Sequence, residues 1–197
     1  VAYSGVSVVG SKVSGELLTN GVMALLVAVV LMFLYIAFRF PWQFGIGAVA
    51  GLLHDVALTF GLIVALRMEF SLNLVAALLT VIGYSMNDTV VVFDRLRENL
   101  RKYKVMPLRE VIDLSINETL SRTIITGLTT VIVLIVLAVF GGEALRGFSI
   151  TLAFGVVIGT FSSIYVGAPI ILLWGVDRSG GGKADTTPVK LGMASRP

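Results

Sequence analysis

Five runs of mainly apolar residues, at roughly 21–38, 44–66, 70–93, 121–140 and 147–174, leave this chain few folds to adopt. Each is long enough to cross a bilayer as a helix, which takes about 20 residues. Several are rich in Gly, Val, Ile and Thr and would read as strands in water. In a bilayer a lone span must satisfy its backbone N–H and C=O groups internally, and only a helix does so. The expected fold is an all-α polytopic membrane protein, a five-span helical bundle in one membrane domain. Composition agrees: 56% of the 197 residues are hydrophobic and 14% charged, against about 25% charged in a soluble domain. With no cysteine in the chain, disulfides and thiolate metal sites are excluded. The chain opens on Val1, without the pattern of a secretory leader, so an N-terminal part is expected to be missing or removed.

Basic residues orient the bundle, because short cytoplasmic loops collect Lys and Arg. The 94–120 loop carries Arg95, Arg97, Arg101, Lys102, Lys104 and Arg109; Arg39 follows the first run, and Arg178, Lys183, Lys190 and Arg196 follow the last. These eleven face Lys12, Arg67 and Arg146 on the other side. The larger group is expected in the cytoplasm, with residues 1–20 ending an extracytoplasmic segment and the C-terminus inside. Trp42 and Trp174 fall at the predicted cytoplasmic interface, where indole rings are favoured. Residues 175–197 include SGGGKADTT, lack apolar periodicity and read as a disordered cytoplasmic tail. Its bases are either solvated or touch anionic membrane lipids. Within the basic loop, Pro107 suits a first helical position. Leu108, Val111 and Ile112 then recur at helical spacing, opposite Arg109, Glu110 and Asp113. That pattern fits a short amphipathic helix at the interface, or simply the entry into the next span.

Against this apolar background two carboxylates stand out. Asp55 lies near the middle of the second run and Asp88 inside the third. An acidic residue at a span centre costs about 2.5–3.5 kcal/mol on insertion scales, so such residues face a protein interior and mark ion or proton paths. Asp88 precedes Asp94, at the end of its run, by six residues, which places it roughly 9 Å deep at about 1.5 Å per residue. Arg122 begins the next run, so Asp88 and Arg122 are candidates to meet at similar depth. A carboxylate drawn between desolvation and a cation can change protonation state when either changes, which is what a proton carrier needs. The other reading has Arg122 extending to the headgroups and Asp88 as a satisfied structural group. Around them lie Ser85, Asn87 and Thr89, with Tyr84 one turn before Asp88, and Thr123, Thr126, Thr129 and Thr130 after Arg122. Such groups line a wetted seam, or make ordinary interhelix hydrogen bonds worth about 0.6 kcal/mol.

His54 precedes Asp55 and is the only histidine, which excludes a multi-histidine metal site. Adjacent helical residues point about 100° apart, so the two are not expected on one face. His54 serves either a proton relay or a structural hydrogen bond. An intramembrane aspartic protease would need a close carboxylate dyad, and the depths of Asp55 and Asp88 match poorly for one. Gly45, Gly47 and Gly51, and the Gly155-x-x-x-Gly159 pair, predict close helix approach. The glycosylation sequon at Asn117 falls in the predicted cytoplasmic loop and reads as chance.

The stretches GYSMNDTVVVFDRLREN at 83–99 and NETLSRTIITGLTT at 117–130 closely resemble the SecF side of the SecD/SecF family of the Sec protein-export machinery. GLLHDVALTFG at 51–61 matches a further segment of that family, and VVGSKVSGELL at 8–18 resembles the approach to its second span. The likeness covers nearly the whole chain apart from the tail. It implies a fragment of a six-span half similar to proton-driven exporters of the resistance–nodulation–division type, lacking the first span and most of a periplasmic domain. It also implies a pseudo-symmetric partner SecD, association with SecYEG and YajC in the bacterial inner membrane, and use of the proton motive force to promote export of secreted polypeptides. Asp88 and Arg122 match the family's proton-coupling residues. Asp55 and His54 would then tune hydration or helix movement, with Ser85, Asn87, Thr89, Thr123 and Thr126 as the supporting polar seam. No cofactor and no bond-making enzyme chemistry are implied. The rival readings are a proton-coupled exporter of a small molecule or lipid, and a structural subunit whose charges hold a complex together.

Overall fold

The computed structural model describes residues 11–69 and 71–176, and these are helical with no strand among the described residues. Its elements are α1 (Ser11–Arg39), α2 (Trp42–Ala65), α3 (Leu72–Lys102), α4 (Leu108–Phe140), α5 (Glu143–Ser162), a π-helical turn (Ser163–Gly167) and α6 (Ala168–Trp174). Five stretches are long and apolar enough to cross a membrane: Thr19–Arg39, Trp42–Ala65, Leu72–Lys102, Leu108–Phe140 and Glu143–Trp174. Short breaks between them set an antiparallel order. Pro41 and Pro107 stand immediately before α2 and α4, where a missing N–H costs nothing. Ser71 caps α3 by accepting from the Leu74 amide at 3.4 Å. Between α4 and α5 the chain turns at Gly142, whose φ of +76° suits glycine.

α3 is the central helix and packs against α1, α2, α4 and α5. α1 is peripheral, with Leu31, Leu34 and Phe38 exposed. At the end of the bundle that holds Arg39, the core is built from Ile36, Phe40, Phe44, Phe93, Leu96, Val111 and Ile171. The Phe93 ring stands edge-on to both Phe40 and Phe44, an arrangement suited to the aromatic quadrupole. Two smaller apolar clusters lie beyond the bundle's middle, one around Val81, Leu134, Leu152 and Val156, the other around Ile63, Leu74 and Leu78. Trp42 and Trp174 meet edge-on at 5.8 Å.

The helices reach past the apolar runs. The stretch 94–120 is not a loop: α3 continues to Lys102, only 103–107 break, and α4 starts at Leu108. Phe93, Leu96 and Leu100 keep one buried stripe at helical spacing, so packing carries α3 on where its overall hydropathy falls. The amphipathic segment after Pro107 is the first turns of α4, with Val111 and Ile112 turned into the core. Residues 11–20, expected in an extracytoplasmic segment, are the first turns of α1. Residues 1–10, and 177–197 of the expected tail, lie outside the described residues.

The last span is interrupted by the π-helical turn. Its cause lies in the sequence: Pro169 would meet the carbonyl of Tyr165 and has no N–H to offer it. A wider turn over Ser163–Gly167 removes that conflict. The turn packs on α2 at Gly47, where a Cβ would come within 2.8 Å of the Gly167 carbonyl oxygen.

Candidate functional site

Asp55 and Asp88 sit in a polar layer between these apolar clusters, on either side of α3. Asp55 projects from α2 and is fully buried. Its Oδ2 accepts from the Ser85 hydroxyl of α3 at 2.5 Å and from the Ser162 hydroxyl of α5 at 2.7 Å. Its Oδ1 lies 3.1 Å from His54 Nδ1. His54 and Asp55 thus meet although their Cα–Cβ bonds diverge; the imidazole bends back to its neighbour and leaves its outer edge half-exposed. Three helices are pinned at one carboxylate, whose charge or hydrogen-bonding capacity is nowhere idle.

The close approach of α3 and α5 makes this possible. Gly155 and Gly159 are the points of contact: a Cβ on Gly155 would run into Val81, and one on Gly159 would come within 2.9 Å of Ser85 Cβ. The Gly-x-x-x-Gly pair therefore sets the depth at which Ser85 and Ser162 converge on Asp55. Nothing in the sequence marks Ser162 itself, because a lone serine in an apolar run fits a back-bond to its own helix equally well, and Ser162 also reaches the Gly159 carbonyl at 3.2 Å.

Asp88 lies one helical turn after Ser85 and turns towards α4. Its Oδ1 accepts from the Thr123 hydroxyl at 2.9 Å. Its Oδ2 is buried and has no hydrogen-bond partner among the described residues. The expected Asp88–Arg122 ion pair is not formed. The face of α4 that meets the bundle runs through Ser115, Thr119, Thr123, Gly127 and Leu134. Arg122 is displaced from that face by one residue, or about 100°, and is exposed on the outside of the bundle. Of the supporting seam, Ser85, Thr89 and Thr123 are buried, whereas Asn87 and Thr126 are exposed. The Tyr84 hydroxyl lies against α4 at Gly127. Beside it Gly127 faces the Thr160 hydroxyl, which is buried and without a partner among the described residues.

A second polar cluster ties the ends of α3 and α4. Asn99 is buried and donates to the Ser115 hydroxyl at 3.1 Å and to Glu118 at 2.6 Å. Arg95 pairs with Glu118 at 2.7 Å and with Glu98 at 2.6 Å. Glu118, the middle residue of the sequon, is thus a helix-end clasp. No group of three or more His, Cys, Asp or Glu among the described residues is arranged to hold a metal ion.

Residues 1–177 match the family described as "Protein export membrane protein SecD/SecF, C-terminal". Similar relatives include the protein translocase subunit SecF of Cereibacter sphaeroides, 56% identical over 186 residues, or 94% of this chain and 57% of that protein. The protein translocase subunit SecF of Rhodobacter capsulatus is 57% identical over 171 residues, covering 87% of this chain and 51% of the relative. Among solved structures, SecDF in its super-membrane-facing form superposes with a TM-score of 0.76 at 43% identity, covering 84% of this chain and 22% of that one. The chain spans about half the length of the curated relatives it matches.

Proposed function

The chain belongs to the SecD/SecF C-terminal family, and from that premise we propose that it is the membrane part of a SecF-type translocase subunit in which proton binding at Asp88 drives helix movement in aid of protein export. The observation that carries this reading is Asp88 Oδ2, a buried carboxylate oxygen without a hydrogen-bond partner among the described residues. A buried polar atom left unpaired costs about 1–3 kcal/mol, and a structural carboxylate would be held as Asp55 is held. Asp88 is engaged on one oxygen by Thr123, which leaves the other to take and release a proton. Neutralising it changes what α4 meets on α3. A membrane potential of 100 mV supplies about 2.3 kcal/mol per charge moved across it, enough to bias an equilibrium between two helix arrangements.

Asp55 has a different part in this scheme. It fixes α2 and α5 to α3 one turn from Asp88, so movement at Asp88 is passed to both. His54, half-exposed against Asp55, tunes that joint. Arg122 faces outward together with Thr126. An outward cation among Ile125, Leu128 and Ile132, all exposed, is costly against lipid. That cost supports a protein partner along α4, and the family's pairing makes SecD the proposed one. Association with SecYEG and YajC, the bacterial inner membrane as location, the cytoplasmic side for the Arg-rich end and for the C-terminus, and secreted polypeptides as substrates belong to the same proposal and rest on the family likeness.

The test is the rate of secreted-protein release in cells carrying Asp88→Asn in the full-length protein, with complex assembly measured in parallel. Release should fall to the level of cells lacking the subunit while the complex still forms. Normal release from an intact complex would mean that Asp88 is structural.

A further inference from the structure

At the Arg-rich end, α1 and α3 enclose an open groove of about 500 Å³ lined by Arg39, Asp94, Arg97, Glu98, Arg101 and Lys102. Its two carboxylates are already engaged. Asp94 holds Arg39 at 2.7 Å, and Glu98 holds Arg95, which lies outside the groove, at 2.6 Å. Three cations remain without a carboxylate among the described residues. Arg97 donates to the Arg39 carbonyl oxygen at 3.3 Å, Lys102 sits 5.1 Å from the centre of the Tyr103 ring, and Arg101 is exposed. Arg97 and Arg101 are four apart on one helix and so share a face. Two guanidinium forks on one wall suit a phosphate, which takes parallel N–H donors.

The position of the groove selects the source of that phosphate. Arg39 ends an apolar span. Leading up to it along α1, Leu31, Leu34 and Phe38 recur at i, i+3 and i+7 and are exposed, Phe38 at 94%. Trp42 and Trp174 meet edge-on beside the same end, at the level indoles favour between acyl chains and water. A cationic groove therefore opens at the top of an apolar strip that none of the described residues covers. We infer that this groove is a binding site for an anionic phospholipid, with the phosphate between Arg97 and Arg101 and the acyl chains along Leu31, Leu34 and Phe38. It is independent of proton coupling at Asp88, which lies inside the bundle.

The test uses the full-length protein in vesicles of phosphatidylcholine with a minor fraction of spin-labelled phosphatidylglycerol or spin-labelled phosphatidylcholine, reading the motionally restricted lipid. The wild type should prefer phosphatidylglycerol. Arg97→Gln with Arg101→Gln should lower that preference by roughly fivefold per charge at most, as expected for a basic residue near an anionic surface. Lys104→Gln with Arg109→Gln removes the same charge at the same end but outside the groove, and should leave the preference in place. An equal loss in both pairs would show diffuse attraction and overturn the site, as would no preference in the wild type. Soluble glycerol phosphate that abolishes the preference at millimolar concentration would reassign the groove to free phosphates. Arg101→Gln alone, at an exposed position, gives the same reading should the double variant fail to fold.

Discussion

The Ser162 hydroxyl donates to Asp55 Oδ2 at 2.7 Å, joining two positions 107 residues apart at the buried centre of the bundle. Ser85 shares the same oxygen, so α2, α3 and α5 cannot slide past one another without breaking a buried hydrogen bond. Ser162→Ala should therefore destabilise the full-length protein by about 1–3 kcal/mol, the usual cost of an unmade buried hydrogen bond. Denaturant or thermal unfolding in detergent measures it. A change below about 0.5 kcal/mol, the range of neutral surface substitutions, would mean that the joint at Asp55 carries no weight.

Gly159 governs the same joint from the backbone. A Cβ there comes within 2.9 Å of Ser85 Cβ, and both atoms belong to packed helices with little room to give. Gly159→Ala should cost about 1–3 kcal/mol through overpacking and displace Ser85 from Asp55. Ser85→Gly in the same chain removes the obstacle, so the double variant should be less destabilised than the sum of the two single ones. Strict additivity in that cycle would show that the two positions do not touch.

The spans and the two carboxylates are legible in the sequence for a plain physical reason. A lone segment in lipid must be a helix, and a buried charge must have a use or a partner. Rotation about a helix axis is not legible in the same way. Arg122 and Thr123 are adjacent, and only the packing of α4 decides which of them faces Asp88. The buried ladder Ser115–Thr119–Thr123–Gly127 gives the answer once it is known that this row, and not the row through Arg122 and Thr126, meets α3. The helix ends were hidden for another reason. Hydropathy drops after Phe93, yet Leu96 and Leu100 continue the buried face, and charged residues on the outer face mask a stripe that is only one side of the helix.

Thr123 is the direct contact of Asp88, so the choice between it and Arg122 can be put to experiment. Thr123→Val keeps the shape and removes the donor; it should slow secreted-protein release severalfold with the complex intact. Thr123→Ser restores the hydroxyl and should restore most of the rate. If valine and serine behave alike, the hydrogen bond is irrelevant to coupling. If only Arg122→Gln slows release, the outward charge is the group that matters.

At the far end of α3, Asn99 is buried and bridges Ser115 and Glu118 on α4. The Arg95–Glu118 ion pair beside it is partly open to water, where attraction between side chains is offset by their hydration and by the entropy of holding them. The amide should therefore outweigh the ion pair in holding α3 to α4. Asn99→Leu leaves the Ser115 hydroxyl without its donor and Glu118 with Arg95 alone, and should destabilise the protein by about 1–3 kcal/mol. Arg95→Gln should change unfolding little, and raising the salt concentration should not deepen the Asn99 defect, because screening acts on exposed charges and not on a buried amide. A larger loss from Arg95→Gln than from Asn99→Leu, measured under the same conditions, would reverse that order and make the clasp electrostatic.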